Sequence, residues 1–204
     1  MALSLAELIA PGHTALITQE CQNGVIGEQA VFPALTAHTK DLIPAVDRLA
    51  KAARKVEIPV VHCLAVRRPD GLGANTNARM FGAAAKASVL LAPGSDAAAV
   101  ADGITVDPLD LVLSRYHGLG PMADTGLAAT LRNMGVRTIV GVGVSLNVGM
   151  LNFAMDAVNA GFQFVLPREA VAGFPPEYAE MVLANTFNAI TTITTVDAVL
   201  DVWS

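Results

Sequence analysis

Three short stretches hold the residues able to do chemistry. The first, Gln19-Glu20-Cys21-Gln22-Asn23-Gly24, ends an apolar run and gathers a carboxylate, a thiol and three amides. A carboxyl group half-buried at a strand's C-terminal end is pushed toward its protonated form and can donate a proton near neutral pH. The plainer role for Glu20 is a helix cap or an ion pair with Arg115. The second stretch, Ser114-Arg115-Tyr116-His117-Gly118, ends another apolar run. A guanidinium keeps its charge, so Arg115 suits clamping a substrate carboxylate better than exchanging protons; its plainer role is the ion pair with Glu20. His117 can move a proton near neutrality, although a loop histidine is commonly solvated or structural. The third stretch is Gly143-Val144-Ser145-Leu146-Asn147-Val148-Gly149. It separates a β-branched run from a helically spaced one. Backbone N–H groups of Val148 and Gly149, at a helix start, can face a carboxylate or a developing oxyanion.

These stretches need elements to position them. Val136, Ile139, Val140, Val142 and Val144 form a run suited to a strand buried on both faces, and Val148, Leu151, Met155 and Val158 recur with helical spacing up to Gly161. The same alternation runs along the chain. Strands are expected at Thr14–Thr18, Ile58–Leu64, Asp110–Ser114, Val136–Val144, Phe162–Leu166 and Thr192–Val196. Helices are expected over much of Leu35–Lys55, where Pro44 starts or kinks the helix, over Ala123–Met134, and over Pro176–Ile190. A loop is expected at Arg67–Asn77, a less regular helical region from there to Asp102, and a terminal helix capped by Asp197. Strands apolar on both faces, alternating with helices, imply an α/β fold in three layers with a parallel sheet between helices. With no repeat and no linker, residues 1–204 read as one domain.

The turn resembles the active-site turn of the isochorismatase-like family, which includes the cysteine hydrolases. That family's pattern is roughly Gly-Val-x-Thr-Asn-x-Cys-Val, then a helix with Asp-Ala, then Gly-Tyr. Here it stands as Gly143-Val144-Ser145-Leu146-Asn147-Val148-Gly149-Met150, then Asp156-Ala157 and Gly161-Phe162. The resemblance implies a six-stranded, Rossmann-like sheet of order 3-2-1-4-5-6 and a cis peptide between Val144 and Ser145. It places Glu20 on the family's catalytic Asp, Arg115 on its Lys and Gly149 on its nucleophilic Cys. A glycine cannot form an acyl-enzyme. The isochorismatases proper also work without the cysteine, protonating a vinyl ether with a carboxylic acid and adding water. On that model Glu20 is the acid, Arg115, Arg67 and Arg68 hold substrate carboxylates, and Gln22, Asn75, Asn77 and Ser145 supply polar contacts. Arg67 and Arg68 also read simply as a solvated loop pair. Two rivals stay open: a catalytically silent small-molecule-binding or oligomeric member, and an amidase using Cys21 or Cys63.

Bulk properties narrow the partners. The chain has 204 residues, 53% hydrophobic and 15% charged, with a formal net charge of −5. An acidic chain without basic clusters is a poor match for nucleic acid or anionic membrane. Its mean hydropathy of +0.50 is high, yet the most apolar stretch, Thr138–Met155, is interrupted by Gly141, Gly143, Gly149, two asparagines and a serine. A membrane span needs about 20 continuous apolar residues. Apolar surface shared between subunits explains the composition better, so a homo-oligomer, dimer or tetramer, is expected. The first residues, MALSLAELIAPGH, lack a basic segment and carry Glu7, which suits a short helix or arm rather than a signal peptide. Cys21 and Cys63 show no metal or redox spacing, consistent with a reduced, cytoplasmic setting. His62 with distant Asp70 is wrongly spaced for a metal, and Gly141-x-Gly143 lacks the third glycine of a dinucleotide loop. The expectation is therefore a small-molecule substrate, no metal and no cofactor.

Overall fold

β-branched and aliphatic runs at regular intervals pair into one parallel sheet. A computed structural model describes residues 3–204 and leaves Met1 and Ala2 aside. The strands are β1 (Thr14–Gln19), β2 (Val60–Ala65), β3 (Leu111–Arg115), β4 (Thr138–Val144), β5 (Gln163–Pro167), β6 (Val171–Ala172) and β7 (Thr192–Thr194). Their order is β3-β2-β1-β4-β5-β7, with β6 added on β4. Every pairing is parallel. The expected path is present, and the extra strand is the difference from a six-stranded sheet. β5 pairs with β4 only through Val140; beyond it the chain makes one tight turn, Arg168–Ala170, and returns to pair Val171 with Gly143 and Ala172 with Val144. Two residues leave no periodic signal in a sequence.

Every residue of β1 and β4 is buried, because helices cover both faces. Leu16, Val140 and Val142 face a core with Leu49 and Trp203. Ala15, Ile17 and Ile139 face the other, with Phe153, Phe164 and Leu131. Gly141 is a glycine for a packing reason: a Cβ there would lie 2.2 Å from the Phe164 ring. Gly143, at φ +119°, would bring a Cβ within 2.1 Å of the Gln19 carbonyl oxygen. β4 can lie against β1 at its end only without a side chain there.

Several boundaries differ from the sequence expectation. The segment around Leu35 is a separate one-turn helix, Pro33–Thr36, and the long helix begins at Leu42 and runs to Lys55. Pro44 sits in its first turn, where no N–H partner is lost, so it neither starts nor kinks the helix. Leu127–Asn133 starts later than expected. The helix after β4 opens with a wide π-type turn, Leu146–Met150, before Leu151–Asn159. A second such turn, Leu183–Phe187, follows Pro176–Val182 and leads into Asn188–Ile190. The final helix, Val196–Val202, is capped by Thr195, whose hydroxyl accepts from the Ala198 amide at 3.1 Å. Asp197 instead pairs with Arg48 at 2.7 Å. The N-terminal segment forms a one-turn helix, Leu5–Leu8, closed by a reciprocal Ser4–Glu7 capping box.

A buried polar network fixes one edge of the sheet. His62 on β2 is fully buried, with Thr18 Oγ1 3.0 Å from Nδ1 and Asp110 Oδ2 3.2 Å from Nε2. Arg54 reaches the same carboxylate with two N–H groups, at 2.6 and 3.1 Å. Burial disfavours the imidazolium and holds His62 below its ordinary value despite Asp110. Burial alone would raise Asp110, but donors from Arg54, the Asp107 amide and His62 outweigh it and hold the carboxyl low.

Both shifts have the same sign for stability. Unfolded His62 takes a proton below pH about 6.5, while the folded state resists it. Stability therefore falls as pH drops from about 6.5, and falls further as pH drops from about 4, where the unfolded carboxyl takes its proton, down to Asp110's depressed value. Urea unfolding at pH 7.5 and 5.0 should show this loss, and His62→Gln should shrink it. Gly143→Ala should cost about 3 kcal/mol or more, from backbone strain and the clash with Gln19, read as a large fall in thermal midpoint or failure to fold.

Candidate active site

Parallel sheets expose their ligand-binding edge at the strands' C-terminal ends. Here β1, β3 and β4 end around a cavity of about 520 Å³. Glu20 follows β1 directly and adopts φ +52°, a left-handed backbone that a non-glycine residue rarely takes. Its amide donates to the Cys63 carbonyl at 2.9 Å, and its carbonyl accepts from the Gln22 amide at 2.9 Å. The backbone is thus held on both sides while the side chain turns to the cavity. Positions of this kind, enforced by their surroundings, cluster at functional sites.

Arg115 ends β3, and its Nη2 donates to Glu20 Oε1 and, at 3.3 Å, to the Leu119 carbonyl. The arginine side chain is 5% exposed and the glutamate 21%. Arg115 Nε and Nη1 are buried and find no hydrogen-bond partner among the described residues. A guanidinium so placed is under-satisfied, and a carboxylate of the right geometry would complete it. The pairing expected as the plain role of both residues is therefore present, and it sits on the cavity wall.

A residue that sequence reasoning passed over lies beneath the pair. Gln19 is fully buried at the end of β1. Its Nε2 donates to Glu20 Oε1 at 3.1 Å and to the Leu119 carbonyl at 3.4 Å. The same Nε2 lies 3.0 Å from where a Cβ on Gly149 would stand, with the Leu119 and Val144 carbonyls at 3.2 Å. A side chain at 149 would have to push these groups aside. The only sequence signal was an amide inside an otherwise apolar strand.

The other candidates divide clearly. Arg67, His117, Ser145, Val148 and Gly149 line the same cavity as Glu20 and Arg115. Gln22 does not: it is buried, with Nε2 donating to the Ala65 and Ala98 carbonyls at 2.9 Å and Oε1 accepting from the Ala65 amide at 2.8 Å. Its role is to tie β2 to the chain after β1. Val148 reaches the cavity, but its amide donates to the Ser145 carbonyl at 3.1 Å and is not free for a ligand. Asn75 lines the cavity and accepts from the Gly118 amide at 2.8 Å, while Asn77 stands behind it. Arg68 pairs with Asp70 in solvent. The Val144–Ser145 peptide is cis.

Cys21 and Cys63 are buried and lie off the cavity wall. Burial, with Glu20 adding repulsion, pushes the Cys21 thiol far up. Burial also pushes Cys63 up to about 12, against the pull of Arg115. Neither environment favours a thiolate. The residues do not fit a bound metal: both His62 nitrogens are engaged within the protein, and no three His, Cys, Asp or Glu side chains converge among the described residues. No helix among them is long and apolar enough to cross a membrane.

Comparison with solved structures places this architecture among known ones. An isochorismatase family protein from Burkholderia thailandensis superposes with a TM-score of 0.78 at 25% identity, covering 94% of this chain and 96% of that one. A cysteine hydrolase from Pseudomonas syringae pv. phaseolicola gives 0.82 at 19% identity, with 96% and 94% covered. Pyrazinamidase of Pyrococcus horikoshii, in complex with zinc, gives 0.76 at 20% identity, with 90% and 99% covered. The last two share the fold. A comparison with curated proteins finds no match. The model of the isochorismatase domain matches residues 14–198, nearly the whole chain, and the chain belongs to the isochorismatase family.

Proposed function

We propose that this protein is a hydrolase of a small carboxylated or amide-bearing molecule, working by acid catalysis without a covalent intermediate. The reading extends to residues 1–204 acting as one domain, in a homo-oligomer. The observation that carries it is the Glu20–Arg115 pair on the cavity wall, opposite a glycine with no nucleophile. A substrate carboxylate entering the cavity is drawn to the guanidinium on its wall. In its protonated form Glu20 is the acid, holding the proton the reaction needs. Glu20 delivers that proton to a vinyl-ether carbon or to an amide leaving group. Water adds to the resulting electrophile and returns its proton to the Glu20 carboxylate; the hemiketal or tetrahedral adduct then collapses, breaking the C–O bond to release the alcohol or the C–N bond to release the amine. Gln19 holds the carboxylate in place from below. Amides are included because pyrazinamidase shares the fold.

A silent binding protein is the second reading, favoured by the ion pair that already engages the Glu20 carboxylate with Arg115. Isochorismate and a panel of simple carboxamides, followed by pyruvate or ammonia release, separate the two. Turnover by wild type and its loss by at least about 100-fold in Glu20→Gln, with the fold retained by circular dichroism, is the expected result. Turnover unchanged in the variant removes the role of Glu20, and no product from any substrate favours the binding protein. Activity should also survive iodoacetamide, because both thiols are buried and held protonated. Inactivation that tracks alkylation of Cys21 or Cys63 would reinstate the thiol route.

A further inference from the structure

The cavity is far more apolar than the charged pair at its base requires. Beyond Glu20 and Arg115 its wall is built from Val25, Phe32, Leu35, Met80, Phe81 and Leu90. A volume of about 520 Å³ lies within the range of roughly 300–1,000 Å³ that takes drug-sized ligands, much more than a carboxylate head needs.

The segment carrying Met80, Phe81 and Leu90 is unusual in how it is held. The helix Arg79–Ala85 has no buried residue. Met80 is 37% and Leu90 38% exposed, although both are large and apolar, and both line the cavity. Met80, Phe81, Ala84 and Leu90 all line the cavity, so apolar contact with an occupant would add to their burial. The electrical character of the wall is the opposite of the chain's. The protein carries −5 overall, yet the cavity lining holds Arg67 and Arg115 against Glu20 alone, with His117 nearby. Arg67 has no ion-pair partner among the described residues. One end therefore suits an anion and the remainder suits hydrocarbon.

We propose that the ligand of this site is an amphiphilic carboxylate: an anionic head at Arg115 and Arg67, joined to an aliphatic or aryl body that lies under Met80, Phe81 and Leu90. The head rests on the clamp assigned to Arg115 above; the apolar body does not depend on that assignment. A ligand of this shape orders the cover segment as it binds, and each added methylene removes more apolar surface from water. Short polar carboxylates bind weakly because they leave the cover unburied.

Isothermal titration of straight-chain carboxylates from acetate to octanoate, with the matched 1-alkanols, tests the proposal without requiring turnover. Affinity for the carboxylates should rise about two- to fourfold per methylene. The alkanols should rise with the same slope from a weaker start. In Met80→Gln/Phe81→Gln the slope should flatten. That variant should keep its thermal midpoint, because neither side chain is buried. Octanoate, and not acetate, should also slow amide hydrogen exchange across residues 79–91. A slope in carboxylates and alkanols without preference for the carboxylate supports the apolar body and removes the arginine clamp. Affinity independent of chain length overturns the proposal, whatever the outcome with isochorismate or amides. So does a slope unchanged in the double variant.

Discussion

A buried guanidinium needs an anion, and meeting that need organises the open edge of this sheet. Arg115 is the last residue of β3 and Glu20 the first after β1, with β2 between them. The ion pair therefore passes over the end of the central β2 and sets three strands at a common level. Removing one partner of such a pair leaves the other uncompensated and is far more damaging than never having had the pair. The surrounding structure follows from holding it. Gln19 steadies the carboxylate, Leu119 accepts from both Gln19 and Arg115, and Gln22 ties the chain after β1 to Ala65 at the end of β2.

The same requirement accounts for the glycine at the turn. The amide of Gln19 reaches the space a side chain on residue 149 would enter. A Cβ on residue 149 would stand 3.0 Å from that amide, so a side chain there would need the support for Glu20 to give way by a few tenths of an ångström. Gly149 and Gln19 are thus two halves of one arrangement, although 130 positions separate them in the sequence. On the proposed reading the site needs an acid and a clamp, and residue 149 itself carries no nucleophile.

Much of this was legible in the residues, and the exceptions share a cause. Long elements with strong periodicity, such as β4 and the face of Leu42, Val46, Leu49 and Ala53, declare themselves because burial on a fixed period leaves a pattern. Eight of the eleven expected site residues meet at one cavity, all but Gln22, Arg68 and Asn77, because strand ends collect at one edge of a parallel sheet. Gln22 misled because an amide beside a carboxylate reads as a ligand contact, while its partners are backbone groups that no sequence displays. Val148 misled for a similar reason: the helix begins with a wide turn, and Ser145 captures its amide. β6, the π turns and the Thr195 cap depend on one or two residues each. Gln19 was missed because two of the three groups its amide stands against, at Leu119 and Gly149, lie 100 or more positions away.

The strand order also dictates when the site can exist during synthesis. β1 leaves the ribosome before β4 and is buried along its whole length in the finished sheet, but β4, its neighbour on one side, begins 124 residues later, at Thr138 opposite Thr14. Until then half of the edge carrying Glu20 has no partner, and the nascent chain shows an unpaired strand whose loop closure is long and slow. β2 alone can shield it, through pairs such as Leu16 with Val60. Arg115 and Glu20 can meet before the turn that faces them has been made. The half-built protein thus holds its charges before its cavity, and a chain released short of β4 would expose the edge of β1 that β4 covers.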